Sequence, residues 1–237
     1  MKAMILSAGL GMRMRPLTEK TPKPLLSVNG APIIHYTLNF LKRYGITDVI
    51  INLHHLAEQI KESLGNGSNF GMNITYSFEP EILGTGGGIK KAKEFLSGSA
   101  FVVVNSDILI DVDLNDVIRF HKEKKSTATM VLRKDEDVER YGAIGIDNEN
   151  RIRQFLNIIK SDEALTSLMF TGIHILEPKI FSYLPEKGCV NRLAYPEMIK
   201  KGERIFGYVM DGYWRDLGTP EAYSSAKKEL LERSLIS

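Results

Sequence analysis

Between Met4 and Leu26 the chain runs from an apolar stretch into Gly9-Leu10-Gly11, then Arg13, Arg15 and Lys23 spaced among Pro16, Pro22 and Pro24. Glycines carry no Cβ, so such a turn can fold tightly and bring its N–H groups against a polyanion. The three cations supply the charge that a phosphate-bearing ligand needs. A second chemical feature lies far along the chain, where the β-branched run 100–104 ends in Asn105-Ser106-Asp107. A carboxylate at the C-terminal end of a central strand is placed where an α/β protein can hold a divalent cation.

Two familiar phosphate motifs are absent from the turn. The dinucleotide fingerprint needs a third glycine where Met14 stands, and the P-loop needs a lysine where Met12 follows Gly11. An NAD-dependent oxidoreductase would also need an acidic residue ending the second strand, where the chain has Leu53 and His54.

The elements that must position these residues read as alternating strands and helices. Met1–Leu6 is a short apolar run suited to a buried parallel strand. Pro32 is placed to open a helix with a stripe of Ile33, Tyr36, Leu38, Phe40 and Leu41, stopped by Gly45. Residues 49–53, 72–78, 100–104, 127–133, 167–176 and 205–209 read as further strands, with helices at 56–64, 89–96, 111–125 and 191–200. This spacing predicts a mostly parallel sheet covered by helices on both faces. Between strand 72–78 and helix 89–96 lies Leu83-Gly84-Thr85-Gly86-Gly87-Gly88, read as a ligand-facing loop whose bare backbone would accept a flat ring. A Tyr141-Gly142 pair opens a hairpin that runs to Leu156.

Length and composition narrow the classes. At 237 residues with 43% hydrophobic content, a single α/β domain is the simpler expectation. Thirty-one basic against 29 acidic residues leave a charge of +2, which argues against nucleic acid or an anionic membrane as partner. One cysteine, Cys189, excludes an intrachain disulfide and fits a reducing cytoplasm. The apolar stretch before Ser7 is too short for a signal peptide, and no run of eighteen apolar residues predicts a membrane span. The five histidines show no metal-ligand spacing and read as structural or surface residues.

G-x-G-x-R followed by Arg15-Pro16-Leu17-Thr18 and Pro22-Lys23-Pro24-Leu25 resembles the signature of the sugar-nucleotide pyrophosphorylases, nucleotidyltransferases that join an NTP to a sugar 1-phosphate. LGTGG at 83–87 and Trp214-x-Asp216-x-Gly218-Thr219-Pro220 resemble two further motifs of that family, so the likeness extends from Met1 to about Tyr223. It implies a Rossmann-like three-layer α/β sandwich of nucleotide-diphospho-sugar transferase type, occupying 1–237 as one catalytic domain without a C-terminal β-helix. It implies Arg13 and Lys23 as catalytic residues, and nucleotide contacts at Leu6, Ala8, Gly9, Gly11, Arg13, Glu79, Gly84 and Thr85. Sugar contacts would fall at Gly142, Thr171 and Gly172, and Asp107 and Asp216 would ligate Mg²⁺. Implied partners are a nucleoside triphosphate and a sugar 1-phosphate, with a homo-oligomer allowed.

The likeness is nearest to mannose-1-phosphate guanylyltransferases, with Glu79 suited to the N–H edge of guanine. N-acetylmuramate-1-phosphate uridylyltransferases come second. Many relatives carry Glu-Lys-Pro after the hairpin, where this chain reads QFLNIIKSDEALTS, with Lys160 at a shifted position. A non-catalytic nucleotide-sugar sensor is the alternative of another class; it would be expected to lack a metal ligand or the loop cations, which are all here.

Overall fold

The computed structural model describes residues 1–136, 138, 142–162 and 165–233, so Tyr141 of the Tyr-Gly pair lies outside the described residues. In chain order the strands are β1 (Lys2–Leu6), β2 (Ser27–Val28), β3 (Ala31–Pro32), β4 (Asp48–Leu53), β5 (Asn73–Phe78), β6 (Phe101–Asn105) and β7 (Ile108–Ile110). They continue as β8 (Ala128–Arg133), β9 (Ile144–Ile146), β10 (Ile152–Phe155), β11 (Thr166–Leu176), β12 (Ile205–Val209) and β13 (Trp214–Asp216). The main helices are α1 (Ile33–Arg43), α2 (Ala57–Leu64), α3 (Gly84–Lys91), α4 (Lys93–Leu96), α5 (Leu114–Glu123), α6 (Val190–Lys200) and α7 (Pro220–Arg233). The fold is mixed α/β with a largely parallel core sheet, as the alternation of the sequence predicts. Among the described residues, no helix is long and apolar enough to cross a membrane.

The chain divides into two compact units. The first comprises Met1–Met4, Leu83–Val104 and Val112–Gly212; the second comprises Ile5–Ile82, Asn105–Asp111 and the chain from Tyr213 onward. In the first unit β11 is the hub, antiparallel to β6, β8 and β9, while β12 runs parallel to β8 and β10 pairs with β9. In the second, β4 and β5 are parallel over six paired residues, from Asp48–Asn73 to Leu53–Phe78. There β13 pairs antiparallel with β7, matching Asp216 to Ile108.

A hydrophobic cluster in the second unit explains how distant stretches meet. Met14, Leu26, Val28, Ile33, Leu109, Leu217, Tyr223 and Ala226 pack together, with Tyr36 and Tyr213 against them. These side chains come from the N-terminal loop, β2, α1, β7, the turn after β13 and α7. Burying each large apolar side chain favours the folded state by about 1.5–3 kcal/mol, so this cluster fixes the elements that carry Lys23, Asp107 and Asp216. Tyr36 and Tyr223 add hydroxyl donors to the carbonyls of Val28 (2.6 Å) and Ser27 (2.5 Å).

Two expectations need correction. Pro32 is the N-cap of α1 rather than its first helical residue, with extended ψ of 143° and a place in the β2–β3 pair. The glycine-rich stretch is not an open loop: α3 begins at Gly84. A Cβ at Gly84 would lie 2.7 Å from the Gly188 carbonyl oxygen, and at Gly87 2.4 Å from the Glu186 carbonyl oxygen. These glycines let residues 185–188 pack directly on the helix backbone, and that contact offsets their poor helix propensity. Gly86 N–H donates to Gly188 O (2.8 Å), and Thr85 Oγ1 accepts from the Val190 N–H at 2.9 Å.

In the first unit His174 is 2% exposed, with Nδ1 2.5 Å from the Tyr195 hydroxyl. Burial pushes its pKa down to about 3 from 6.5, so the ring is neutral at pH 7. Because the folded chain resists a proton that the unfolded chain takes up, stability should fall as pH drops from 6.5 toward 3. The loss is on the order of 4 kcal/mol across that window. Urea melts at pH 7 and pH 4 should show it, and His174→Gln should have a shallower acid dependence; an equal slope in both proteins would sink this account.

Candidate active site

The N-terminal turn follows β1 directly. Gly11 has φ +63°, a left-handed conformation that favours glycine, and a Cβ there would meet Thr18 Cγ2 at 2.9 Å. Thr18 is 1% exposed and its Oγ1 donates to the Gly11 carbonyl at 2.8 Å, which holds the turn from inside. Gly9 has nothing within 4 Å of a Cβ position. It lines the cleft beside this turn.

Lys23 lies in a 3₁₀ turn, Lys23–Leu25, capped by Pro22 and containing Pro24. The prolines restrict the backbone that presents the lysine. Its Nζ forms an ion pair with Asp107 Oδ2, the side chains being 11% and 26% exposed. Asp107 follows β6, and its carbonyl accepts from the Leu217 N–H at 2.9 Å. That bond, with the β7–β13 pairing, brings the Asp216 strand to the Asp107 turn.

Gly218 completes the meeting point. A Cβ there would lie 2.9 Å from Arg13 Nη2 and 2.9 Å from Asp216 Oδ1, so the bare α-carbon leaves room for both side-chain ends beside this turn. The pKa of Asp216 is raised, first by burial and then by the Asp107 charge; Lys23, Arg13 and the Gly218 N–H offset part of this. Thr219 Oγ1 caps α7 by accepting from the Ala222 N–H at 3.2 Å, with Pro220 as the first helical residue.

Leu6, Gly9, Gly11, Arg13, Lys23 and Asp107 thus line one cleft of about 220 Å³, together with Ser7, Ser106 and Gly218. Ala8 is 8% exposed beside it. Glu79 is in the same unit but 0% exposed, its Oε1 accepting from Asn52 Nδ2 at 2.7 Å. Gly84, Thr85, Gly142, Thr171 and Gly172 belong to the other unit. There Gly142 has φ +91°, Gly172 has φ +97°, and Thr171 Oγ1 donates to the Val131 carbonyl at 2.8 Å. Lys160 is exposed.

The cleft suits a polyanion with a hard cation. A glycine turn with Arg13 and Lys23 offers positive charge that a phosphate would need, and Asp107, with Asp216 near it, offers carboxylates that could hold a cation. Among the described residues no group of three or more His, Cys, Asp or Glu gathers. Two carboxylates still fit Mg²⁺, which commonly takes one or two from the protein and fills its remaining positions with substrate phosphates and water.

Ser7, Asn52, Ser106 and Gly218 were missed as site residues by the sequence reading. The signal for Asn52 was a lone amide inside the apolar run Val49–Leu53. For Gly218 it was its place two residues after Asp216 in the Trp214-x-Asp216-x-Gly218 motif.

The nucleotidyl transferase family profile matches residues 2–233. A UTP–glucose-1-phosphate uridylyltransferase of Synechocystis sp. is 34% identical over 250 residues, 99% of this chain; the chain spans 64% of that relative. An N-acetylmuramate alpha-1-phosphate uridylyltransferase of Neisseria meningitidis serogroup B is 38% identical over 226 residues, covering 92% of this chain and 94% of the relative. The crystal structure of HddC from Yersinia pseudotuberculosis complexed with GMP-PN matches with a TM-score of 0.80 at 26% identity, over 97% of this chain and 99% of that one. With the glycine turn, Arg13, Lys23 and Asp107 lining one cleft and this match along nearly its whole length, the chain belongs to the nucleotidyl transferase family, among the relatives of NDP-sugar pyrophosphorylases.

Proposed function

We propose that the chain, acting as one nucleotidyltransferase domain, joins an NTP and a sugar 1-phosphate into an NDP-sugar and pyrophosphate, with UTP as the nucleotide and an N-acetylmuramate-type 1-phosphate as the sugar. The observation that carries the reaction is the convergence of Arg13, Lys23 and Asp107 on one glycine turn, with Asp216 against it. The choice of uridine over the guanine expected from sequence draws on the Neisseria relative, which is matched at 38% identity over 94% of its length. Guanine keeps support from the GMP-PN in the HddC structure and from a mannose-1-phosphate guanylyltransferase of Mycobacterium tuberculosis, 32% identical over 97% of this chain.

In this reading the sugar phosphate oxygen attacks the α-phosphorus in line, and the bond to the leaving pyrophosphate breaks. Arg13 and the turn N–H groups hold the triphosphate and meet the charge that grows on pyrophosphate. Lys23 releases Asp107 and takes the α-phosphate, between the reacting partners. Asp107 and Asp216 would hold Mg²⁺, which when bound neutralises charge across the reacting phosphates. Gly84 and Thr85 are proposed to contact the nucleobase, and Gly142, Thr171 and Gly172 the sugar. A single cysteine suits a cytoplasmic setting for such an enzyme.

Pyrophosphate release tests the reading directly. The purified chain with Mg²⁺ is supplied with UTP, GTP, CTP or dTTP and with N-acetylmuramate, glucose or mannose 1-phosphate. UTP with N-acetylmuramate 1-phosphate should turn over fastest. Faster release from GTP with mannose 1-phosphate would restore the guanylyltransferase reading, and no release from any pair would remove the enzyme.

A further inference from the structure

Behind the glycine turn runs a chain of buried hydrogen bonds that the proposed reaction does not use. The Ser7 N–H donates to Asn52 Oδ1 at 2.9 Å, and Asn52 Nδ2 donates to Glu79 Oε1 at 2.7 Å. Ser7, Asn52 and Glu79 are 5%, 2% and 0% exposed. Glu79 is itself held at the end of β5: its N–H donates to the Leu53 carbonyl at 2.8 Å, and its carbonyl lies 2.7 Å from His54 Nδ1. Burying an amide and a carboxyl group is costly unless they are bonded, and the bond between them offsets part of that cost for each.

We propose that Glu79 and Asn52 are a positioning pair for the phosphate turn. An amide side chain has a donor end and an acceptor end, and either could face the turn. The carboxylate oxygens of Glu79 only accept, so they draw the Asn52 NH₂ toward β5 and leave its oxygen facing the turn. The group of Ser7 that meets this oxygen is a backbone N–H, a donor, and the match fixes the chain direction as it enters Gly9 and Gly11. Small errors in that direction swing the turn N–H groups away from a bound phosphate. In this assignment Glu79 acts on the nucleotide through Asn52, whereas the family resemblance would have it touch the base. The assignment rests on the proposed nucleotide site for its effect on binding, but not for its effect on the free turn.

A reciprocal exchange of the two groups tests it. Asn52→Asp alone sets two carboxylates against each other, and Glu79→Gln alone lets the Asn52 amide turn over. The double variant Asn52→Asp/Glu79→Gln restores the pattern, because the new amide NH₂ at position 79 donates to the new carboxylate at position 52, whose other oxygen accepts from Ser7. Amide hydrogen exchange at residues 7–11 of the free full chain should quicken about tenfold in each single variant and return to within about twofold of wild type in the double. The KM for UTP and for GTP should rise and recover together, with kcat less affected. Unchanged exchange in Glu79→Gln with an altered UTP-to-GTP preference would overturn the proposal in favour of direct base reading. A double variant as impaired as Asn52→Asp would overturn it as well. If the wild-type chain releases no pyrophosphate from any substrate, the enzyme reading falls while the exchange data still decide this one.

Discussion

Asp107→Asn is expected to lower kcat by about 10³-fold, a loss of about 4 kcal/mol in transition-state stabilisation, while the chain stays folded. The two effects separate because of what asparagine keeps. It matches aspartate in size and retains an oxygen that can accept from Lys23, so the fold loses only the charged part of one ion pair whose side chains are 11% and 26% exposed. That costs about 1–2 kcal/mol, small beside the catalytic loss. In the proposed reaction the same side chain lets Lys23 go and offers its charge to the cation, and a neutral amide does neither well. Stopped assays of pyrophosphate release with a parallel urea melt read both numbers. A variant that turns over at the wild-type rate would take Asp107 out of the site.

Asp216→Asn should lose activity and gain stability together. Burial and the neighbouring Asp107 charge raise the Asp216 pKa above its ordinary value of 3.8. Folded chain therefore holds this proton at pH values where unfolded chain has released it. Stability falls as pH rises from 3.8 through the folded value, and above that value the whole penalty is present. Asparagine carries no charge at any pH and escapes the penalty. Without added metal, the variant should outlast wild type in urea at pH 7.5, and the advantage should shrink as pH falls to 3.8 and below. Its turnover should drop by about 10²-fold or more. If the two proteins melt alike at pH 7.5, the carboxylate is not under the strain described. In the proposed reaction a bound cation would relieve this repulsion, so the same carboxylates that cost stability would serve turnover.

Short-range features were readable wherever a single property decided them. The apolar run of β1, the β-branched run of β6, and Thr219 with Pro220 at the start of α7 were all visible, because strand burial and helix capping are local in sequence. The glycine-rich stretch was misread for the opposite reason. Flexibility and close packing both select glycine, and the partner at 185–188 lies about a hundred residues away. Glu79 shows the same ambiguity, since a carboxylate after a strand can face a ligand or an amide in the neighbouring strand, and here its Oε1 accepts from Asn52.

The amino-acid sequence alone determined the order of the longer strands and most helices, the cationic glycine turn, the two carboxylates and the family to which they belong; the short strands β2, β3, β7 and β13 were not legible in it. Tertiary structure decided which of these meet. Leu217 donating to the Asp107 carbonyl, Gly218 lying against both Arg13 and Asp216, and a shared apolar cluster under Leu109, Leu217 and Met14 bring residues some two hundred positions apart into contact. Residue type and local spacing encode what a side chain can do, whereas the neighbours that raise the Asp216 pKa, or occupy the Glu79 carboxylate, exist only after long-range burial has closed the chain upon itself.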